Sequence, residues 1–238
     1  MSIYVMSDIH GEADLFHAML KQIQFSETDT LYILGDVIDR GPDGIALLKE
    51  IMDTPNMVML LGNHEHMMRQ CYSTQGCAID FFRWNRNGNT PTVNAFKVLD
   101  ASERTEILNY LSLLPSHVRV SVGGNSYYLV HAFPGNTIEE EVWVRPSIHE
   151  SNPLPETRLV IGHTPVLHLI VPREERDTYI RTMQSRGERP QILFAEGFID
   201  IDCGCSYTEP IKTLGCLRLD DLTAFYEYRK RTERKRIS

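Results

Sequence analysis

The chain has 238 residues, of which 42% are hydrophobic and 24% charged, with 24 basic against 32 acidic side chains for a formal net charge of −8. This composition supplies one buried core and excludes fibrous and disordered classes, while the acidic balance repels an extended nucleic acid, which is therefore not an expected partner. Five cysteines, at 71, 77, 203, 205 and 216, form no regular disulfide framework and read as reduced thiols of a cytoplasmic protein.

A short apolar run, Ile3-Tyr4-Val5-Met6, opens the chain and stops at Ser7-Asp8-Ile9-His10. Without a basic flank, and ended by an acid, it is expected to be neither signal peptide nor anchor. No later run approaches the roughly 20 apolar residues of a membrane span, so no membrane partner is expected. Helical spacing at Leu15, Met19, Leu20 and Ile23 leads to Leu31-Tyr32-Ile33-Leu34, which stops at Gly35-Asp36. A third run, Met57-Val58-Met59-Leu60-Leu61, stops at Gly62-Asn63-His64. Continuous apolar runs of this length fit strands buried on both faces, and helical segments between them make a βαβ arrangement.

Residues 65–115 read as helical, with Cys71–Trp84 and Ala101–Leu114 as helices separated by the breaker-rich Asn85-Arg86-Asn87-Gly88-Asn89-Thr90-Pro91. They form a cap beside the sheet. Two more runs follow, Tyr127-Tyr128-Leu129-Val130 before His131 and Leu159-Val160-Ile161 before Gly162-His163. The charged, breaker-rich stretch at 166–192 is expected to be an exposed excursion, and strands at 192–202 and 214–219 to complete a second sheet. The tail at 229–238 carries six positive charges and reads as a solvated terminus rather than an anion-binding arm. A single α/β domain over 1–238, a sandwich of sheets flanked by helices, is the simplest architecture.

Polar residues that end five strands should meet, because ligand sites in open α/β sheets lie beyond the carboxyl ends of the strands. Asp8 and His10 are two apart in extended chain and point to the same side, although such a pair alone could be a turn. Gly35-Asp36-Val37-Ile38-Asp39-Arg40-Gly41 sets two carboxylates and a guanidinium in a glycine-bounded loop; taken alone, Asp39 and Arg40 could be a surface ion pair of little worth. Gly62-Asn63-His64-Glu65 puts an amide beside an imidazole after a buried strand, which is costly unless the groups are bound or hydrogen-bonded.

Together with His131 and Gly162-His163, these motifs resemble the signature of the phosphoprotein phosphatase family of calcineurin-like metallophosphoesterases, bacterial serine/threonine phosphatase type. Trp84-Asn85-Arg86-Asn87-Gly88 is similar to the family's cap segment, and Phe198-Ile199-Asp200-Ile201-Asp202-Cys203-Gly204 to its late strand and loop. The resemblance implies a four-layer α/β/β/α sandwich with mixed sheets and a helical cap segment. It implies two divalent ions, one held by Asp8, His10 and Asp36, the other by Asp36, Asn63, His131 and His163, with Asp36 shared. It also implies direct attack on phosphorus by a water bridging the two ions, with His64 as general acid, Asp39 orienting His64, and Arg40 and Arg145 binding the phosphoryl group beside Asn63 and His64. Arg119 and Arg158 are weaker candidates than Arg145. Ligands without thiolate suit Mn²⁺, Fe or Zn²⁺ better than Ca²⁺, and Mn²⁺ is the first choice.

Two departures stand out. Ser7 occupies a position where the family usually has glycine, and it is harmless if its backbone angle is ordinary. Phe133, two residues after His131 where glycine is common, either shapes the substrate entrance or packs in the core. His17, His66, His117, His149 and His168 lie outside the matched positions and read as surface or hydrogen-bonded core residues, and Cys203-Gly204-Cys205 as a thiol pair rather than a metal site. The leading functional expectation is a phosphomonoesterase acting on phosphoserine and phosphothreonine proteins or peptides, extending to phosphotyrosine and small phosphoesters. A dinucleoside polyphosphate hydrolase is the alternative, because the metal motifs are shared and only the substrate-facing loops differ. A catalytically silent binding scaffold comes third, since such a chain is expected to lack a ligand or the acid.

Overall fold

The first three apolar runs become β1 (Ile3–Met6), β2 (Thr30–Ile33) and β3 (Met57–Met59), joined by α1 (Ala13–Gln22) and α2 (Gly44–Asp53). They are parallel, with Val5 opposite Tyr32 and Tyr32 opposite Val58, as a right-handed βαβ crossover requires. The computed structural model describes residues 1–73, 75–208 and 211–228, so the basic tail at 229–238 lies outside the described residues.

Four cap helices follow: α3 (Asn63–Cys71), α4 (Ala78–Arg86), α5 (Thr90–Lys97) and α6 (Ala101–Leu113). A continuous helix from Cys71 to Trp84 is not formed. The Cys77 N–H donates to the Asp80 carboxylate at 2.9 Å, an N-terminal cap that starts a new helix, and a side chain at Gly76 would run into the Cys71 carbonyl. The stretch 85–91, expected as a connector, instead ends α4 and starts α5, with Pro91 in the first turn, where its missing N–H is not needed.

Next come β4 (His117–Val122), β5 (Asn125–Val130), α7 (Ile138–Trp143), β6 (Arg158–Ile161), α8 (Val166–Ile170), α9 (Arg176–Arg186), β7 (Leu193–Phe194), β8 (Ile199–Asp200), β9 (Leu214–Arg218) and β10 (Ala224–Glu227). Two mixed five-stranded sheets result, ordered β10-β9-β1-β2-β3 and β4-β5-β6-β8-β7. Of the two late strand regions expected in the second sheet, only 192–202 joins it. Residues 214–218 lie in the first sheet, antiparallel to β1, with Leu217 opposite Val5. Their alternation serves two cores and names no partner strand, so sequence alone could not place them.

Successive side chains of each strand point to opposite faces, and this alternation builds the layers. Val5, Tyr127, Leu129, Val160 and Leu217 pack together between the sheets. Tyr4, Met6, Ile33 and Met59 face away, against Phe16 and Met19 of α1, Leu48 of α2 and cap residues such as Trp84 and Phe96. Tyr128, Val130, Leu159 and Ile161 form the outer face of the second sheet. The order is helices, sheet, sheet, helices. Phe133 packs in that outer cluster, edge-on to Phe198 at 6.2 Å between ring centres, which favours the core reading. The stretch 166–192 is not a plain excursion: Leu167 of α8 and Met183 of α9 form a small core with Ile211. Among the described residues no helix is long and apolar enough to cross a membrane.

Candidate metal centre

The carboxyl ends of β1, β2, β3, β5 and β6 release the chain into loops that meet over one cavity. The Asp8 N–H donates to the Gly35 carbonyl at 3.2 Å, that of His10 to Asp36 at 2.9 Å, and that of Gly162 to His131 at 2.8 Å. Bending so sharply is costly. Asp8, His10, Asp36, Asp39, Arg40 and His163 all have φ between 48° and 71°, each at a cost of about 1–3 kcal/mol for a non-glycine residue. Six of the eight non-glycine residues with positive φ among the described residues thus lie in the motifs.

Glu65 holds the second loop from beneath. Its carboxylate, fully buried at the start of α3, accepts the N–H groups of Asp36 at 2.8 Å, Val37 at 2.9 Å and Ile38 at 3.2 Å. Glu65→Ala leaves three buried donors without an acceptor and is expected to cost about 3 kcal/mol or more in urea denaturation, with Glu65→Gln recovering much of the loss. Gly62 is required at its position, because a Cβ there would overlap the Asp36 carboxylate.

Four of the six expected ligands are aimed by hydrogen bonds visible in the structure. His10 Nδ1 lies 3.0 Å from the Ile38 carbonyl and His131 Nδ1 2.7 Å from the Leu34 carbonyl. Each Nδ1–H is thereby committed, and each Nε2 lone pair turns inward. Ser7 Oγ and the His163 N–H both bond Asp8 Oδ2. Ser7 shows no positive φ, and its hydroxyl fits only because Gly162 has no side chain. Asp36 Oδ1 accepts the His64 N–H at 3.0 Å.

Inside this shell acceptors crowd together. His131 Nε2 lies 3.5 Å from Asp36 Oδ1, and the Asn63 side-chain amide sits 2.9 Å from His131 Nε2 and 3.0 Å from His163 Nδ1, where its NH2 donates to both rings once the amide is turned over. His10 Nε2 is 3.6 Å from Asp36 Oδ2 and 4.0 Å from Asp8 Oδ1. Burial holds the His10, His131 and His163 imidazoles below their ordinary pKa, hence neutral. Burial, then the charge of Asp8, pushes Asp36 well above the carboxylate range. Neutral imidazole lone pairs beside carboxyl groups whose negative charge is disfavoured without a counter-ion fit cations. One cation is already drawn in: the Arg40 guanidinium reaches His10 Nε2 at 2.7 Å and His64 Nε2 at 3.0 Å. Two ligand groups emerge by distance, His10, Asp36 and His64, and Asp36, His131 and His163. They share Asp36. Asp8 and Asn63 border them, and His64 falls by distance into the first group.

His64 Nδ1 is 2.6 Å from Asp39 Oδ2, which also accepts Trp84 Nε1–H at 2.6 Å. The Asp39 N–H is held by Thr92 Oγ1 at 2.9 Å, and the Arg40 N–H by the Gly88 carbonyl at 3.0 Å. The cap therefore fixes this pair. Burial raises Asp39 to about 7 and lowers His64, so charge is disfavoured on both partners of that short contact.

Arg40 and Arg145 line one cavity of about 210 Å³ with Asp8, Asp36, Asn63 and His163, and Arg145 Nη1 donates to the His163 carbonyl at 3.0 Å. Arg119 and Arg158 instead lie over the rings of Tyr128 and Tyr127. Asp202, Tyr207 and His168 also reach the cavity. His168, a surface residue as expected, lies on α8 and lines this cavity. Neither His168 nor Tyr207 belongs to a motif, so no sequence signal marks them. Three of the other unmatched histidines meet carboxylates, His17 with Glu50, His66 with Glu139 and His117 with Glu141. Cys203 and Cys205 are buried and belong to no metal-binding group among the described residues.

A model of the calcineurin-like phosphoesterase family matches residues 1–190. The chain is 36% identical over 145 residues to the symmetrical bis(5'-nucleosyl)-tetraphosphatase of Acidovorax sp. (strain JS42), covering 59% of this chain and 47% of that protein. It is 34% identical over 131 residues to serine/threonine-protein phosphatase 2 of Salmonella typhimurium, covering 55% and 57%. The chain spans about half the length of these curated relatives. A metallophosphoesterase from Sphaerobacter thermophilus shares the fold, with a TM-score of 0.58 over 97% of this chain and 88% of that one at 18% identity.

Proposed function

Since the chain belongs to the calcineurin-like phosphoesterase family, we propose that this metallophosphoesterase hydrolyses dinucleoside polyphosphates at a centre of two divalent ions. The observation that carries the reaction class is the shared cavity: two arginines face the cluster of Asp8, Asp36, Asn63 and His163. The substrate class is supported by the tetraphosphatase relative, which is 36% identical over 145 residues. Phosphoprotein hydrolysis is the second reading, supported by the Salmonella typhimurium phosphatase.

Asp8, His10 and Asp36 would hold one ion, and Asp36, Asn63, His131 and His163 the other, with Mn²⁺ the preferred metal. When bound, such ions supply positive charge to the phosphoryl oxygens and a hydrolytic nucleophile at neutral pH. The protein's own groups do the rest. Arg40, whose donors now rest on His10 and His64, has the planar fork that matches two phosphoryl oxygens. Arg145, tied to the His163 carbonyl, neutralises a second phosphate of the chain. His64 holds a proton for the leaving oxygen, and Asp39 and Trp84 fix the ring that delivers it.

Arg40→Ala is expected to lower kcat/KM by roughly 10–100-fold, the worth of a charge-assisted fork; an unchanged value would remove Arg40 from the phosphoryl clamp. The substrate reading is tested with purified protein and Mn²⁺ on diadenosine tetraphosphate and on a phosphothreonine peptide. Faster cleavage of the dinucleotide is expected. Cleavage of the peptide alone would overturn the reading.

A further inference from the structure

Part of the cavity wall is aromatic. His168 from α8 and Tyr207 from the loop after β8 line it, with ring centres 6.3 Å apart and planes inclined at 49°. Burial, then the charges of Arg176 and Arg145, brings His168 down to about 4. Its imidazole is therefore neutral and offers a flat ring rather than a cation. Tyr207 is fixed from behind by Leu167, Met183 and Ile211. Its ring lies over Gly204, which has φ 80° and where any Cβ would overlap the ring. The Tyr207 hydroxyl is buried and has no hydrogen-bond partner among the described residues, so the fold itself makes no use of it.

Trp143 also reaches the cavity, but the Arg83 guanidinium covers one face at 4.3 Å and its ring stands edge-on to His163. Part of its stacking surface is already taken by that cation. From the remaining pair we infer that Tyr207 and His168 form a nucleobase subsite, which stacks the base of the nucleotide whose phosphate sits between Arg40 and Arg145. The inference deepens the dinucleotide reading above and rests on it for the ligand class. Aromatic faces accept any base, at a gain of about 1–3 kcal/mol per base, because every base has a π-face. The subsite is thus expected to favour nucleotides over bare phosphates with little choice among bases.

The test is competition against p-nitrophenyl phosphate hydrolysis with AMP, ribose 5-phosphate and inorganic phosphate, in the Mn²⁺-loaded protein. AMP is expected to bind about tenfold tighter than ribose 5-phosphate, and both Tyr207→Leu and His168→Leu are expected to erase most of that advantage. Equal inhibition by AMP and ribose 5-phosphate in the unaltered protein overturns the subsite, and this comparison needs no variant to fold. Loss of affinity for all three ligands to the same extent in both variants overturns it as well. A strong preference for AMP without cleavage of diadenosine tetraphosphate would keep the subsite and reject the dinucleotide hydrolase. Cleavage without any preference for AMP would do the reverse.

Discussion

Asp36→Asn is expected to cut kcat/KM by about 10³-fold or more, because metal charge at the phosphoryl group is worth several kcal/mol and Asp36 belongs to both ligand groups. Asparagine keeps the shape and can still accept the His64 N–H, so the loop should survive. The stability signature separates a lost ligand from a damaged fold. Without metal, burial raises the pKa of Asp36, so its contribution is present below the ordinary carboxylate range and lost as pH rises. The uncharged variant escapes that loss. Metal-free Asp36→Asn should therefore melt no lower than the unaltered protein at neutral pH, with the difference moving in its favour as pH increases. Saturating Mn²⁺ adds about 2.7 kcal/mol at a hundred times Kd, and this gain should shrink sharply in the variant. A full complement of two ions in Asp36→Asn would remove Asp36 from its shared position.

His64→Asn is expected to lower kcat by about 10²–10⁴-fold on an alkyl phosphate, the range for removal of a positioned acid, while metal content is maintained. The loss should depend on the leaving group. An alkoxide needs the proton badly, whereas a nucleoside polyphosphate leaves as a stable anion and needs it less. The decrease on diadenosine tetraphosphate should accordingly be the smaller one. Asp39→Asn and Trp84→Phe, which disturb the contacts at Asp39 Oδ2, should follow the same ranking with milder effects. Equal losses on both substrates would instead assign His64 to ligand or scaffold duty, for which its 3.8 Å approach to Asp36 Oδ2 provides the geometry.

Much of the first sheet was legible because its strands are buried on both faces and therefore write themselves as unbroken apolar runs. Ile3–Met6, Thr30–Ile33 and Met57–Met59 lie within a few residues of where those runs end. The polar residue after each run was legible for the same reason: an abrupt change from apolar to metal-binding chemistry has few structural explanations. The strand at Leu214–Arg218 was legible but its sheet was not, since a strand that serves two cores carries no mark of its neighbour. Nor was the break between α3 and α4, where the Cys77 and Asp80 cap outweighs a continuous helical pattern. The resemblance in the metal motifs also could not choose a substrate, because those motifs act on the phosphoryl group alone. The tetraphosphatase relative moves the reading from phosphoprotein toward dinucleotide.

By itself the sequence determined the fold class and the chemical kinds gathered at the strand ends: carboxylates, imidazoles, an amide and a guanidinium, each tied to its strand by local pattern. The tertiary structure alone decided what those groups face. It brought Glu65 under three backbone donors, turned Arg145 and not Arg119 or Arg158 to the cavity, and set His168 and Tyr207 in the wall of that same cavity. The physical reason is range. Strand and helix periodicity is written over a few neighbouring residues, whereas the walls of a site come from segments that meet only when two sheets stack and their loops are pressed together.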